Sequence, residues 1–563
     1  MSINPLVNHN YDFVVIGSGA AGLTAALVAS IEGLKVLVIE KTDVIGGTAA
    51  RSSGTVWIPN NSLQKTIGLD DSKEKSMTYL DSLVGDKSDR LLRESFVDQG
   101  PQMIDYLIKN TNIRFRPYAS SPDYRQDHPG AAAGGRPLEP QSFDGRLLGS
   151  DFKKIASPLK ELMLFGGMMI TRGEAAQLIK FDLNSFLIGF KLITRFLLDR
   201  MSFYRGTRLV LGNGLVGSLF KELLSRQVSF ITCSDTKKII TNQLGNVCGV
   251  IVVTNESEIN ITVSKGILLA GGGFPSNKLK RQQYLPQPSP LHSAAYDGCQ
   301  GETIDLGLSA GGVLGKPGLD NALWFPSSLI QENDGAVSIY PHIVLDRSKP
   351  GLIAVNVKGK RFVNEAVSYH EFVRSMYKNT AENPSIPAVL ICGKEFIWKY
   401  GFGLIRPRTP SLKKYIQQGY LYEGNSIEDL AIKVGVDSLA LNQTISSFNT
   451  DVVNGRDNEF LKGENIYDRS NGDPNNHPNP CLGLVSGPPF YAVKVYPTPL
   501  GTSLGLVNNE FSQVLDCDGH PISGLYVAGN DMQSVMGGEY PGAGAQIGVA
   551  MTFGYLAAKH AAS

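Results

Sequence analysis

The sequence has no long hydrophobic run, no block of lysine or arginine and no paired cysteines, and each absence excludes a class of protein. Its two most apolar regions are Glu161 to Ile170 and Phe181 to Tyr204. The first is ten residues long and contains a Gly pair. The second is interrupted by Asp182, Lys191, Arg195, Asp199 and Arg200, whereas a bilayer span takes ~20 mostly apolar residues. A formal net charge of +1, with no basic stripe, gives no electrostatic reason to expect nucleic acid as a partner. The six cysteines, at 233, 248, 299, 392, 481 and 517, form no CxxC. Neither a zinc site nor a disulfide framework is indicated, and reduced thiols in a cytoplasmic protein are expected. The first ten residues lack a basic segment followed by an apolar one, so no export signal is expected. His128, His292 and His370 have no ligand partners at suitable spacing, and no metal is expected.

What is present is ample: 563 residues, 42% of them hydrophobic, with 61 glycines, enough for a large core and more than one domain. Within the second apolar region Leu183, Phe186, Leu187, Phe190, Ile193, Leu197 and Leu198 follow helical spacing and predict an amphipathic helix. Two readings of its apolar face are open: packing on its own protein or a second subunit, or attachment to a membrane surface.

The strongest signal opens the chain. Asp12 to Ile16 reads as a buried strand, runs into Gly17-Ser18-Gly19-Ala20-Ala21-Gly22, and is followed by a small-residue helix from Leu23 to Ile31. Gly17 permits the tight turn, Gly19 lets the backbone approach a pyrophosphate, and Gly22 allows close helix-to-strand contact. The helix N-terminus offers N–H groups and a positive dipole end to phosphates. A second strand, Lys35 to Ile39, ends at Glu40, where a carboxylate can take the hydroxyls of an adenosine ribose.

After Glu40 the chain continues as a second small-residue loop, Lys41 to Gly54 (KTDVIGGTAARSSG), which resembles the EK…GGT…SGG pattern of FAD flavoproteins such as fumarate reductases and ketosteroid dehydrogenases. The resemblance implies flavin contacts at Lys41, Gly46, Gly47, Thr48, Ser53 and Gly54. Thr48-Ala49-Ala50 stands where a covalent attachment histidine would be, so non-covalent FAD is expected. Gly266 to Phe274 (GILLAGGGF) resembles the strand that returns to the adenosine side, with Ala270 and Gly271 as contacts. Near the other end, Gly524 to Asn530 (GLYVAGN) and Gly537 to Gly548 (GGEYPGAGAQIG) resemble the segment that sets a helix N-terminus beneath the flavin's pyrimidine end, with Gly529, Asn530, Gly542, Ala545 and Ile547 as contacts. The fold implied is α/β: a Rossmann-like FAD-binding domain of residues 1–285 and 490–563, carrying an apolar helical insertion at about 150–205, with an inserted α+β catalytic or capping domain of residues 286–489.

Gly351 to Glu365 (GLIAVNVKGKRFVNE) resembles both branches of the family. Fumarate reductases place arginines four residues past this Glu and in the C-terminal glycine segment, where this chain has Tyr369 and Tyr540. Without two planar cations the dicarboxylate clamp is missing. The tyrosines resemble those of the 3-ketosteroid dehydrogenases, and the resemblance implies an FAD-dependent 3-ketosteroid Δ1-dehydrogenase that removes a C2 proton and transfers the C1 hydride to flavin N5. By it Tyr496, with a backbone N–H near Leu500 and Gly501, would polarise the C3 ketone, and Tyr369 would take the C2 proton. Tyr124 would hydrogen-bond Tyr369, with Tyr118 as the fallback, and Tyr540 would line the pocket. Thr498 resembles the hydroxyl residue of 3-oxo-5α-steroid 4-dehydrogenases and keeps 4(5)-dehydrogenation open. A desaturase or ene reductase for a small oxo-cyclic acid is the other alternative, and would need an arginine such as Arg136 or Arg361 facing the flavin. The partners expected are a steroid-like substrate and an external electron acceptor of quinone type. The apolar insertion reads as a hydrophobic entrance, a peripheral membrane contact through about 160–205, or a subunit interface.

Overall fold

The computed structural model describes residues 9–160, 163–178, 182–254, 257–332, 335–343, 346–378 and 384–563. Residues 1–8 and, from the two apolar regions, Glu161, Leu162 and Phe181 lie outside them. The chain divides into two compact units: Met1–Tyr284, Ala295–Ala322 and Gly501–Ser563 form unit 1, and Leu285–Ala294 and Leu323–Leu500 form unit 2. These units differ from the sequence boundaries at two places. Residues 295–322 lie with unit 1, where Thr303 fills the space over Gly271 and Gly307 fits against Leu269 and Leu506. Residues 490–500 lie with unit 2, because they pair in its sheet.

Strand β1 (Asn10–Ile16) is buried along Phe13 to Ile16, as a central parallel strand must be. Helix α1 (Ala20–Ile31) follows and returns the chain to β2 (Val36–Ile39), paired parallel to β1 with Phe13 opposite Val36. The helix is buried from Ala20 to Ala29, and its small residues allow neighbouring helices to come close. Helix α2 (Leu183–Arg200) starts at a capping box in which the Asp182 carboxylate accepts from Ser185 N at 2.7 Å. Helix α3 (Leu211–Ser225) leads to β3 (Ser229–Ile231), β4 (Asp235–Thr241), β5 (Val247–Val253) and β6 (Glu258–Leu269).

Unit 2 is built on β7 (Ala322–Gln331), β8 (Val337–Pro341), β9 (Leu352–Val355), helix α4 (Tyr369–Lys378), β10 (Ala388–Gly393), β11 (Tyr422–Gly424) and β12 (Phe490–Thr502). The strands run in the order β8-β7-β12-β10-β9, with β11 also on β12. Ile353, Val355, Val389 and Ile391 of this sheet pack against Leu430, Ile445 and Phe448 in the unit's core. Unit 1 resumes with β13 (Gln513–Leu515), β14 (Pro521–Val527) and helix α5 (Ala545–Ala562). Its sheet has the order β13-β14-β6-β1-β2-β3, with β14, β6, β1, β2 and β3 mutually parallel, β5 antiparallel beside β6 and β4 antiparallel beside β5. The expected architecture, a Rossmann-like domain with an inserted mixed unit, is what the chain adopts.

One of the readings left open for the second apolar region is excluded. The helix predicted over the second apolar region exists as α2, but Leu183, Phe186, Leu187, Phe190, Ile193, Leu197 and Leu198 do not pack on their own protein: all are exposed. The inward face is instead Ser185, Leu192, Phe196 and Asp199, which meets Met168, Leu164 and Leu178. The helix is apolar on two sides, and sequence spacing alone favoured the wider stripe. No helix among the described residues is long and apolar enough to cross a membrane.

Candidate active site

In unit 1 the ends of the parallel strands converge on glycine loops whose shape glycine alone permits. Gly17 has φ +106°, and a Cβ there would lie 2.2 Å from the Ala270 carbonyl oxygen; a Cβ on Gly22 would lie 2.0 Å from the Gly17 oxygen. At Gly19, the N-cap of α1, a Cβ would meet nothing within 4 Å, and no side chain caps the first turn. Ala20, Ala21 and Gly22 therefore begin a helix facing open space, as a pyrophosphate requires.

The second loop is tied to the first. Ser18 donates from its N–H and hydroxyl to Glu40 Oε2 at 3.0 and 2.5 Å, while Thr42 donates twice to Oε1 at 2.9 Å. The Ser18 hydroxyl also accepts from Gly46 N at 3.1 Å. Glu40 thus holds the shape of the loop at which a ribose would bind, and a ribose hydroxyl would compete with the donors already there. Gly46 and Gly47 have φ +117° and +48°, and a Cβ on Gly47 would approach Gly19 Cα at 3.9 Å, so the two loops face each other. Thr48 Oγ1 accepts from Tyr296 N at 3.0 Å, Ser53 donates to Thr55 at 3.0 Å, and Gly54, at φ +66°, presses on Leu211. Lys41 pairs with Glu302. Cys299 lies beside Thr48, and burial pushes its thiol up to about 12, so it stays protonated and unreactive.

The returning strand is fixed by a residue that sequence reasoning missed. Ala270 N donates to Ile16 O at 2.8 Å, and the carboxylate of Asp531 accepts from Gly271 N at 2.5 Å and Gly273 N at 2.7 Å. Asp531 directly follows Gly529-Asn530, but it lies 260 and 258 positions from the glycines it holds, so no sequence spacing linked it to them. Gly529, φ +72°, approaches Ala21 of α1.

Helix α5 begins after Gly544, φ +90°, again without a side-chain cap; Ala545 N donates to Gly542 O at 3.2 Å, and Gln546 and Ile547 follow it in the opening turn. A Cβ on Gly501 would lie 2.5 Å from Asn530 Nδ2 and 2.9 Å from Gln546 Nε2, and Gln546 Nε2 is a buried donor without a partner among the described residues. This cradle, an unfilled donor and a helix N-terminus together, suits the electron-rich carbonyl edge of a flavin. The preceding loop is held by Tyr79, whose hydroxyl donates to Pro541 O at 2.7 Å, by Tyr124 N on the same oxygen at 2.9 Å, and by Trp57, whose Nε1 sits 2.4 Å from a Cβ position at Gly542. Tyr124 and Tyr540 stack with ring centres 5.6 Å apart. The fallback Tyr118 instead accepts from Arg172 at 3.3 Å.

In unit 2 the candidate side chains stand on regular elements. Tyr369 opens α4, is buried, and meets the Phe325 ring edge-on at 4.8 Å. Tyr496 is half-buried on β12, and its hydroxyl has no hydrogen-bond partner among the described residues. Burial, then the neighbouring Tyr422, holds its phenol above the ordinary value, so it remains a donor. Two residues on, the Thr498 hydroxyl donates to Phe325 O at 3.0 Å and shares a 2.6 Å hydrogen bond with Ser327. Leu500 is buried at the end of the unit's part of the strand.

The two arginines considered for a substrate carboxylate are already paired. Arg136 is fully buried and donates to Asp71 at 2.8 and 2.9 Å, to Asp123 at 2.6 Å and to Gly130 O at 3.0 Å. Arg361 donates to Glu365 at 2.9 Å and to Asp457 at 2.8 and 2.9 Å. Burial pushes Glu365 up, but Arg361 and Lys462 outweigh it and hold the carboxyl low. Neither guanidinium retains a bidentate edge for a ligand.

Comparison with known proteins agrees with this geometry. The FAD binding domain family matches residues 12–547. The 3-oxosteroid 1-dehydrogenase of Mycobacterium tuberculosis is 35% identical over 98% of both chains. The 4-oxocyclohex-2-ene-1-carboxylate 5-dehydrogenase of Sinomonas cyclohexanicum is 33% identical over 98% of this chain and 93% of its own. Among solved structures, the 3-ketosteroid Δ1-dehydrogenase of Sterolibacterium denitrificans, in complex with 1,4-androstadiene-3,17-dione, is 36% identical, covers 99% of this chain and 100% of its own, and superposes with a TM-score of 0.92. The glycine loops, the uncapped helix starts and a family match across nearly the whole sequence lead to one conclusion: the chain belongs to the FAD-binding flavoprotein family, in the group of the 3-ketosteroid dehydrogenases.

Proposed function

We propose that the protein is a 3-ketosteroid Δ1-dehydrogenase that introduces a C1–C2 double bond into a 3-ketosteroid. The observation that carries this reading is the half-buried Tyr496 phenol on β12, a donor with no protein partner among the described residues in a chain of ketosteroid-dehydrogenase type. Tyr496 donates to the C3 ketone, joined by a backbone N–H near Leu500 and Gly501. This polarisation of the carbonyl stabilises the developing enolate and makes the C2 proton acidic enough to lose. Tyr369 takes that proton, and Tyr124 supports Tyr369 through its hydroxyl; the Tyr124–Tyr540 stack keeps that ring in place. FAD, when bound, supplies the hydride acceptor at N5 for the C1 hydrogen.

Gly17 to Gly22 and Gly46 to Gly54 hold the FAD pyrophosphate and ribityl chain, Ala270 and Gly271 the adenosine side, and Asn530, Gln546 and the α5 N-terminus the ring edge. With Thr48-Ala49-Ala50 at the attachment position, the cofactor is held non-covalently. The electron acceptor is an external quinone-type molecule. We place the enzyme in the cytoplasm, with peripheral membrane contact through residues 160–205 serving a substrate carried in lipid.

A second reading, dehydrogenation of a small oxo-cyclic acid, is favoured by the likeness to the Sinomonas enzyme but opposed by the full engagement of Arg136 and Arg361. Anaerobic mixing of the yellow protein with androst-4-ene-3,17-dione, followed at the flavin band near ~450 nm, separates them. Bleaching with a 1,4-diene product is expected. A 4-ene formed from a 5α-steroid without any 1,4-diene would assign Thr498 its 4-dehydrogenase role. Bleaching by 4-oxocyclohexanecarboxylate but by no 3-ketosteroid would overturn the steroid reading.

A further inference from the structure

Tyr369, the residue that takes the proton in the proposed reaction, is the first residue of α4, so the loop before the helix sets where its side chain starts. Much of that loop is tied locally. Asn364 Oδ1 accepts from Ala366 N at 2.9 Å, the Glu365 carboxylate accepts from Ala354 N of β9 at 3.1 Å, and Ser368 O accepts from Phe372 N at 2.9 Å in the first turn. Two of its carbonyls, Glu365 O and Val367 O, are taken by one distant side chain, Arg347.

Arg347 is fully buried, and every nitrogen of its fork donates. Nη1 donates to Glu365 O at 2.7 Å and Val367 O at 3.1 Å, Nε to His342 O at 2.7 Å and Nη2 to Ile343 O at 2.7 Å. Among the described residues all its acceptors are main-chain carbonyls, and none is a carboxylate. The guanidinium lies 4.9 Å from the centre of the Phe372 ring, one turn along α4 from Tyr369. Burying a cation without an ion-pair partner is costly, so ion pairing does not account for the residue. What it supplies is a rigid planar fork that ties two backbone segments together.

The second segment is anchored to β7. His342 N donates to Pro326 O at 2.9 Å, and His342 Nε2 shares a 2.8 Å hydrogen bond with Ser328 Oγ. His342 Nδ1 shares one of 2.6 Å with Asp346, whose other carboxylate oxygen accepts from Arg347 N at 2.8 Å. Strand β7 also carries Phe325, whose ring centre lies 4.8 Å from that of Tyr369 and whose carbonyl accepts from Thr498 of β12. These contacts close a circuit from β7 through His342, Arg347 and the loop to Tyr369 and back to β7. Tyr496 stands on β12, the strand bonded to that same β7. We propose that Arg347 is a positioning residue, which through Glu365 O and Val367 O fixes Tyr369 relative to Tyr496. The proposal rests on the reading of Tyr369 as the base and Tyr496 as the ketone donor.

The test is Arg347→Lys, which keeps the charge but replaces the fork by a single nitrogen that cannot span both segments. With full-length flavin-loaded protein and androst-4-ene-3,17-dione, kcat should fall about a hundredfold while KM moves less than about threefold, because the ketone contact of Tyr496 remains and only the base is displaced. FAD content should match wild type. A 3-fluorotyrosine placed at position 369 should give one narrow fluorine resonance in the wild-type background and a shifted or divided one with Arg347→Lys. Ser328→Ala breaks the circuit at β7 without touching the buried cation, and stands in if Arg347→Lys does not fold. It should show the same split between kcat and KM, with kcat lowered about fivefold. Wild-type kcat with an unchanged resonance in a folded variant would overturn the proposal. So would a loss of activity that only follows the loss of flavin-loaded protein, which would make the role one of general stability. Failure of the steroid reading shows elsewhere: no 3-ketosteroid would bleach the wild-type flavin, and the fluorine resonance would still decide whether Arg347 sets Tyr369.

Discussion

The two units present chemistry in opposite ways. Unit 1 offers backbone: Gly17, Gly46, Gly47, Gly529 and Gly544 all have positive φ, and the groups we assign to the cofactor are N–H donors of α1 and α5. Unit 2 offers side chains: Tyr369 and Tyr496 project from a helix start and a strand whose backbones are fully regular. A surface made of backbone tolerates almost no added atom, whereas one made of side chains tolerates a change of one atom in shape but not in chemistry. Substitutions should therefore fail differently in the two halves.

The sharpest break is expected in unit 1. Gly17→Ala forces a Cβ against the Ala270 carbonyl at a positive φ, and the purified protein should be colourless, with no flavin band. A yellow Gly17→Ala protein would show that the loop can be rebuilt and would dissolve the contrast. In unit 2, Tyr369→Phe should leave FAD content and Tm unchanged while kcat falls ~10²–10⁴-fold, the range of a lost acid–base group. Tyr496→Phe should cost ~10²–10³-fold in kcat/KM. Because burial raises the Tyr496 phenol, the alkaline limb of the wild-type profile should lie above the ordinary phenol value of about 10, and it should vanish in Tyr496→Phe if this ionisation causes it. A limb unchanged in the variant would remove Tyr496 from the role.

A third test asks whether the buried arginines are structural. Burial raises the Asp71 carboxyl, but two hydrogen bonds and the charge of Arg136 hold it below its ordinary value. For a depressed acid the stabilisation is complete above the unfolded value, about pH 4, and is lost as pH falls through the lower folded one. Asp71→Asn should accordingly lower stability by about 3–5 kcal/mol at neutral pH, with the difference from wild type shrinking below about pH 4, read by denaturant titration. The smallest effect belongs to Thr498→Val, which removes the hydrogen bonds to Phe325 O and Ser327 at roughly 1 kcal/mol. Turnover should change less than tenfold, and the ratio of 1,4-diene to 4-ene products is the measurement that tells a regiochemical role from a packing one.

The same contrast explains what the sequence disclosed. Glycine loops are legible because their residues must be contiguous and must be glycine, so Gly17 to Gly22 and Gly537 to Gly548 announced the fold. The ion clusters were not legible, because Arg136 meets Asp71, 65 positions away, and Arg361 meets Asp457, 96 away, and no spacing rule reaches across a fold. Asp531 was hidden for the same reason. What covers the outward stripe of α2 stayed open because periodicity reports that a helix has an apolar side, not which side its neighbours cover; Leu192 and Phe196 face inward through contact with Met168. Thr498 was legible as a hydroxyl, but its ties to β7 emerge only from strand pairing.

Gly554 of α5 packs so closely on α1 that a Cβ would lie 2.5 Å from the Ala21 oxygen, and β14 completes the parallel sheet beside β6. On the ribosome these partners emerge far apart in time, since all of unit 2 is made between them. Unit 2 can mature while β1, α1 and β6 still await β14 and α5, leaving an apolar sheet edge and helix face uncovered. Cofactor capture should therefore wait for β14 and α5, and a nascent chain stalled before residue 521 should recruit chaperones rather than flavin.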